Sequence, residues 1–131
     1  MDFLTKIFKR AETRTPKLVK NSLLKHFPEA KNVEWGRYSD LFEAMFYDED
    51  VEKIARFDQN GKLVECRINA SFTDIPSFVK SNIEHDYEIM SCIVVYASDS
   101  MNYELIVRNS ELIRYSLLMD SLGHKIRLER L

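Results

Sequence analysis

Two cysteines in 131 residues are too few for a disulfide framework. Cys66 and Cys92 both sit in alternating apolar stretches. Nothing in their spacing demands a bond, so both read as small buried hydrophobes. No apolar run approaches the ~20 residues of a membrane span. Charge of one sign is missing too: 19 basic against 21 acidic residues leave −2. That balance excludes a dedicated nucleic-acid binder, which carries a clear basic excess. The opening residues lack the unbroken stretch of roughly 7–15 apolar residues that makes a secretion signal. Phe3-Leu4 and Ile7-Phe8 are split by Thr5-Lys6 and followed by Lys9-Arg10. The expectation is a cytoplasmic protein, or a periplasmic or envelope protein if a leader has been removed.

Site motifs are equally scarce. Neither His-x-x-x-His nor Cys-x-x-Cys occurs, and Asp58-Gln59-Asn60-Gly61 lacks the ligands a calcium loop needs, so no metal is expected. It reads as a hairpin turn with glycine at the positive-φ position. His26, His85 and His124 stand near no cysteine in sequence, and nucleophilic catalysis needs a nucleophile, a base and an orienting group together. No catalytic residue and no cofactor is assigned, and the expectation is that the chain is not an enzyme.

What is present is an apolar, patterned chain, 45% hydrophobic and 11% aromatic. It suits one domain, or two small units sharing a core. Four landmarks recur at nearly constant offsets. Pro16 and Pro76 are 60 residues apart, Phe27 and Tyr87 also 60, Phe42-Glu43 and Tyr103-Glu104 61, and Gly61 and Gly123 62. We read a tandem duplication of a ~60-residue unit. Residues 15–70 and 71–131 are the two copies, and residues 1–14 are a leading arm.

Each copy changes period once. Pro16 suits a first helical turn with Thr15 as its cap, and Leu18, Val19, Leu23 and Phe27 share a face up to Pro28. In the second copy Ile75, Phe78, Val79, Ile83 and Tyr87 form the stripe, with Asp74 or Ile75 near the cap. Alternation then predicts strands near 32–38, 41–48, 51–58 and 62–69, and near 89–98, 102–109, 111–119 and 124–130. The fold class expected is α+β: two helix-plus-four-strand antiparallel units. Parity puts Phe42, Ala44, Phe46, Ala55, Phe57, Val64, Cys66 and Ile68 toward the helix. Glu43, Met45, Tyr47, Ile54, Arg56, Leu63, Glu65 and Arg67 then face away. In the second copy Tyr103, Leu105 and Val107 oppose Glu104, Ile106 and Arg108. The outward set mixes aromatic, apolar and charged residues, as a binding face does, and an edge strand is the alternative binding surface. Tyr47, Arg56, Arg67, Arg108 and Tyr115 are the candidate binding residues. Trp35 reads as core, and Tyr38 is left open between core and surface.

Several of these stretches resemble a known family. His26-Phe27-Pro28-Glu29-Ala30-Lys31-Asn32-Val33-Glu34-Trp35 resembles the FP-x-A-x-x-V-x-W stretch of the PepSY-like, or β-lactamase-inhibitor-protein-like, family. Phe42-Glu43-Ala44-Met45-Phe46 resembles its YEA-x-F, and Ala55 to Leu63 its A-x-F-D-x-x-G-K hairpin. The second copy matches more weakly, through Ile75 to Val79, Tyr103-Glu104-Leu105 and Asp120 to Gly123. The resemblance implies one curved eight-stranded sheet with both helices on one face, and a non-enzymatic scaffold that binds a protein or peptide. It also implies export, as for most members, in Bacteroidetes-type bacteria. The missing leader and the residues before Thr15 depart from the family pattern, and no residue here carries over β-lactamase inhibition.

Phe3, Leu4, Ile7, Phe8 and Ala11 fall on one helical face, with Lys6, Lys9, Arg10 and Arg14 near the other. Such an arm docks on the protein's own body or a second copy, on a partner, or peripherally on anionic lipid. Two other functions stay open: a small-ligand carrier with a pocket between helices and sheet, and an enzyme built on His85 or His124 beside a cysteine or carboxylate.

Overall fold

The turns set the architecture, and the computed structural model describes residues 14–83 and 85–131. The leading-helix residues Phe3, Leu4, Ile7 and Phe8 lie outside the described residues. The fold is α+β, and the described residues form two α-helices and eight antiparallel strands in sheet order β1 to β8. The chain divides into two compact units after Arg67, within β4.

In the first unit α1 spans Lys17–His26, followed by β1 (Lys31–Tyr38), β2 (Leu41–Asp48), β3 (Val51–Phe57) and β4 (Leu63–Ala70). Glu49 and Asp50, at φ 50° and 64°, make the two-residue turn that joins β2 to β3. Two positive-φ residues match the right-handed twist of the flanking strands. That turn fixes the register Asp48↔Val51, and with it Ala44↔Ala55 and Phe42↔Phe57. Val19 and Leu23 of α1 pack on Phe42, Ala44, Phe46, Ala55 and Phe57, with Phe27, Val33 and Trp35 at the margin. Trp35 therefore belongs to the core, its ring centroid 5.9 Å from that of Phe57.

The second unit has a 3-10 turn at Phe72–Asp74, then α2 (Ser77–Ser81), β5 (Glu88–Ala97), β6 (Met101–Arg108), β7 (Arg114–Asp120) and β8 (Lys125–Arg130). Ile75, Val79 and Ile83 close over Cys92, Tyr103, Leu105, Val107, Leu117 and Met119.

Several expectations are corrected. Thr15 does not cap α1: Pro16 occupies the N-cap with no side-chain cap bond, and the buried Thr15 hydroxyl has no hydrogen-bond partner among the described residues. Leu18 and Phe78 are exposed instead of completing the apolar stripes, because each lies over a turn glycine. The second helix stops at Ser81, and tight turns carry Ile83 and Tyr87 onward. Leu63, expected to face away, packs against the first unit's core. Strand β7 begins at Arg114 instead of 111, because residues 109–113 form a loop.

That loop repeats a design seen twice elsewhere. In Asp58–Lys62 the Asp58 carboxylate accepts from the N–H groups of Asn60 and Lys62, both at 2.9 Å, and Gly61 stands at φ 82°. In Asp120–His124 the Asp120 carboxylate accepts from Leu122 and His124, again at 2.9 Å, with Gly123 at φ 86°. These bonds, that from the His124 N–H foremost, hold the Asp120 carboxyl below its ordinary pKa. In Asn109–Ile113 the side-chain amide oxygen of Asn109 accepts from the N–H groups of Glu111 and Ile113, both at 3.0 Å, but the left-handed position, φ 64°, is filled by Leu112. A Cβ there costs roughly 1–2 kcal/mol, and the 66%-exposed side chain recovers little by burial. Leu112→Gly should therefore raise stability by about 0.5–1 kcal/mol, after the glycine's larger unfolded-state entropy is counted. Urea titration reads it, with Gly123→Ala as the opposite control. A Cβ at 123 would stand 3.0 Å from Phe78 Cδ2.

Candidate functional site

Register brings the charged residues of the first unit together on the face away from α1. Sequence numbers paired across the Glu49–Asp50 turn sum to a constant, so Glu43 stands directly opposite Arg56. Arg56 Nε donates to Glu43 Oε2 at 2.7 Å, and Arg56 Nη1 donates to Glu65 Oε2 on β4, also at 2.7 Å. Glu65 Oε1 is 3.7 Å from Arg67 Nη1. Tyr38, on β1, reaches across β2 so that the Arg56 guanidinium carbon lies 3.6 Å from its ring centroid. The guanidinium is thus clamped by two carboxylates and covered by an aromatic ring.

Burial sorts these groups into support and surface. Glu43 is 2% exposed and the Arg56 side chain 12%, whereas Tyr38 is 52% exposed. Such charged hydrogen bonds are short and strong, and they fix a side chain's direction. Arg56 therefore holds Tyr38 in place more than it offers donors to a partner. Tyr47, at the far end of β2 opposite Glu52 and Lys31, is also exposed on this face.

The remaining sequence candidates lie elsewhere. Arg108, in the second unit, is bound to Glu88, with Nε to Oε1 at 2.7 Å. Tyr115 is not on the outward face. It pairs with Val107, packs on the second unit's core and meets Tyr87 edge-on at 5.7 Å. Tyr38, Glu43 and Glu65 are the members that sequence reasoning left out of the site. The constant sum across the two-residue turn pairs Glu43 with Arg56 before any coordinates are known.

Neither thiol is poised for chemistry. Cys66 and Cys92 are free and buried. Burial raises the Cys92 pKa to about 11, and burial raises that of Cys66 despite the nearby Lys53 ammonium. His124 is exposed, 3.1 Å from Asp120. Among the described residues no group of three or more His, Cys, Asp or Glu side chains could hold a metal ion. No helix among them is long and apolar enough to cross a membrane. In the first unit, a 460 Å³ hollow beside α1 is lined by Leu18, Asn21, Ser22, Lys25, Asn60 and Gly61.

No protein-family model and no curated protein matches this sequence. Solved structures do. An inferred periplasmic protein of Bacteroides eggerthii superposes with a TM-score of 0.80 at 16% identity, covering 90% of each chain. A BLIP-like protein of Bacteroides fragilis gives 0.77 at 13% identity, over 91% of this chain and 88% of its own. A DUF2874 family protein of Bacteroides uniformis gives 0.80 at 18% identity, over 89% and 90%. At these identities the likeness shows the fold: the chain has a BLIP-like fold.

Proposed function

We propose that this chain is a non-catalytic module that binds a protein or peptide, with the open sheet face of its first unit as the working surface. The observation that carries the reading is the clamped Tyr38. An aromatic ring held against a guanidinium, which is itself fixed by Glu43 and Glu65, is rigid and still half exposed. Rigid, exposed tyrosines make interface anchors because little side-chain freedom is lost when they dock. Tyr47 extends the same face, and Arg67 lies beside Glu65. The BLIP-like fold supports the reading, and the inferred periplasmic neighbour supports a periplasmic or envelope setting. The carrier alternative is disfavoured in the first unit, where Val19, Leu23, Phe46 and Phe57 fill the space between helix and sheet.

The reading extends to a PepSY-like tandem duplication, which a side-chain lock supports. Ser22 Oγ donates to the Gly61 carbonyl while Leu18 lies over that glycine. Asn82 Nδ2 donates to the Gly123 carbonyl, 3.0 Å away, while Phe78 lies over that glycine. Two different residue pairs make the same lock at equivalent positions, as divergence from one ancestral unit would leave them.

The test is affinity capture from the source cells with three forms: wild type, Tyr38→Ala/Tyr47→Ala, and a form lacking residues 1–14. A partner kept by the truncated form and weakened at least about tenfold by the double variant is the expected result. A partner indifferent to the tyrosines but lost with residues 1–14 would transfer the function to the leading arm.

A further inference from the structure

We propose that β8 is a self-pairing edge, through which two copies of this chain associate about a two-fold axis at Leu128. The strand ends the sheet order, and all six of its residues are exposed. An exposed edge offers a row of unpaired N–H and C=O groups to another strand.

The register shows which groups those are. The Leu131 N–H donates to the Arg114 carbonyl at 3.0 Å, and the pairs Tyr115↔Arg130, Ser116↔Glu129, Leu117↔Leu128 and Leu118↔Arg127 continue the same register. In an antiparallel ladder the hydrogen-bonded pairs alternate. Residues 127, 129 and 131 therefore direct their main-chain groups to β7, and those of Leu128 and Arg130 point outward. An antiparallel pairing centred on Leu128 uses the outward groups of Leu128 reciprocally.

Side chains make the second copy the fitting occupant. Centring on Leu128 sets Arg127 across from the partner's Glu129, and Glu129 across from the partner's Arg127. These are non-hydrogen-bonded positions, where side chains come closest. Within one chain Arg127 and Glu129 already lie on one face at 2.8 Å, each 62% exposed. Pairing would convert this exposed ion pair into a four-charge ladder of alternating sign. On the other face Leu128 of each copy, exposed in the single chain, would meet its counterpart; Ile126 is the extra residue of a bulge between the pairs Leu118↔Arg127 and Met119↔Lys125 and ends the regular edge. A two-fold contact of this kind closes on itself, so it yields a dimer and not a fibre.

Sedimentation velocity on the full chain, from micromolar to near-millimolar concentration, tests this. Wild type should show a concentration-dependent dimer. Glu129→Arg and Arg127→Glu should each weaken it roughly tenfold or more, since each places like charges opposite one another twice. The double variant Arg127→Glu/Glu129→Arg should restore it. These positions are exposed, so circular dichroism should show every variant folded. A wild-type chain that stays monomeric throughout, or a dimer indifferent to both single reversals, overturns the proposal.

Discussion

Arg56→Ala should cost about 3–5 kcal/mol of stability, far more than a surface arginine warrants. The loss comes less from the attraction removed than from what is left behind. Glu43, 2% exposed, and the half-buried Glu65 would keep their charges without the guanidinium that holds both at 2.7 Å. A companion variant separates these causes. Glu43→Leu/Arg56→Met/Glu65→Leu removes the charges together, and such replacements are commonly neutral or stabilising. The triple variant should thus regain most of the stability that the single one loses, in urea denaturation read by circular dichroism. A single variant within about 0.5 kcal/mol of wild type would mean that water satisfies Glu43 and Glu65 unaided. An arginine-to-alanine change at this position therefore reports on folding as well as binding, and the tyrosines are the cleaner probes of the surface.

Phe57→Ala, one residue along and on the opposite face, should cost a similar 3–5 kcal/mol for a different reason. Phe57 is fully buried, directly opposite Phe42 and beside Trp35, under the Val19 and Leu23 faces of α1. Deleting the ring removes its transfer free energy and leaves a cavity that the helix can only partly close. Phe57→Leu should retain more than half of that stability, because most of the apolar volume stays. Equal losses for the two variants would show that the site needs the ring's shape, not its burial. Natural domains hold only about 5–15 kcal/mol in total, so Phe57→Ala is expected to be poorly populated at 37 °C.

Strands were the legible part of this fold, because alternation and turn residues report on the same boundaries. Seven of the eight begin within one residue of the sequence expectation, and β7 is displaced by the Asn109 loop. That loop hides because Leu112 occupies a position where glycine advertises itself at 61 and 123. Helix α2 was overread for another reason. Apolar spacing at 75, 79, 83 and 87 is satisfied equally by one helical turn followed by tight turns that return Ile83 and Tyr87 to the same side. The candidate site was half legible. Alternation put Tyr47, Arg56 and Arg67 on the open face, but neighbours across strands depend on register. Counting out from the two-residue turn brings Glu43 to Arg56, whereas the pairing of Tyr115 with Val107, which puts Tyr115 on the core side, depends on the Asn109 loop. Whether Tyr38 lies flat over Arg56 depends on a side-chain rotamer, which no periodicity encodes.

The strand order also bears on how quickly the native state is reached. Sheet order follows chain order from β1 to β8, so within each unit a strand finds its partner in the next hairpin, and only the segment carrying α2, between β4 and β5, is longer than a turn. Proteins dominated by such local pairings close short loops first and fold faster than β-proteins of similar size with crossing connections. Pairing can advance one hairpin at a time as the chain leaves the ribosome, with each completed strand serving as the template for its successor.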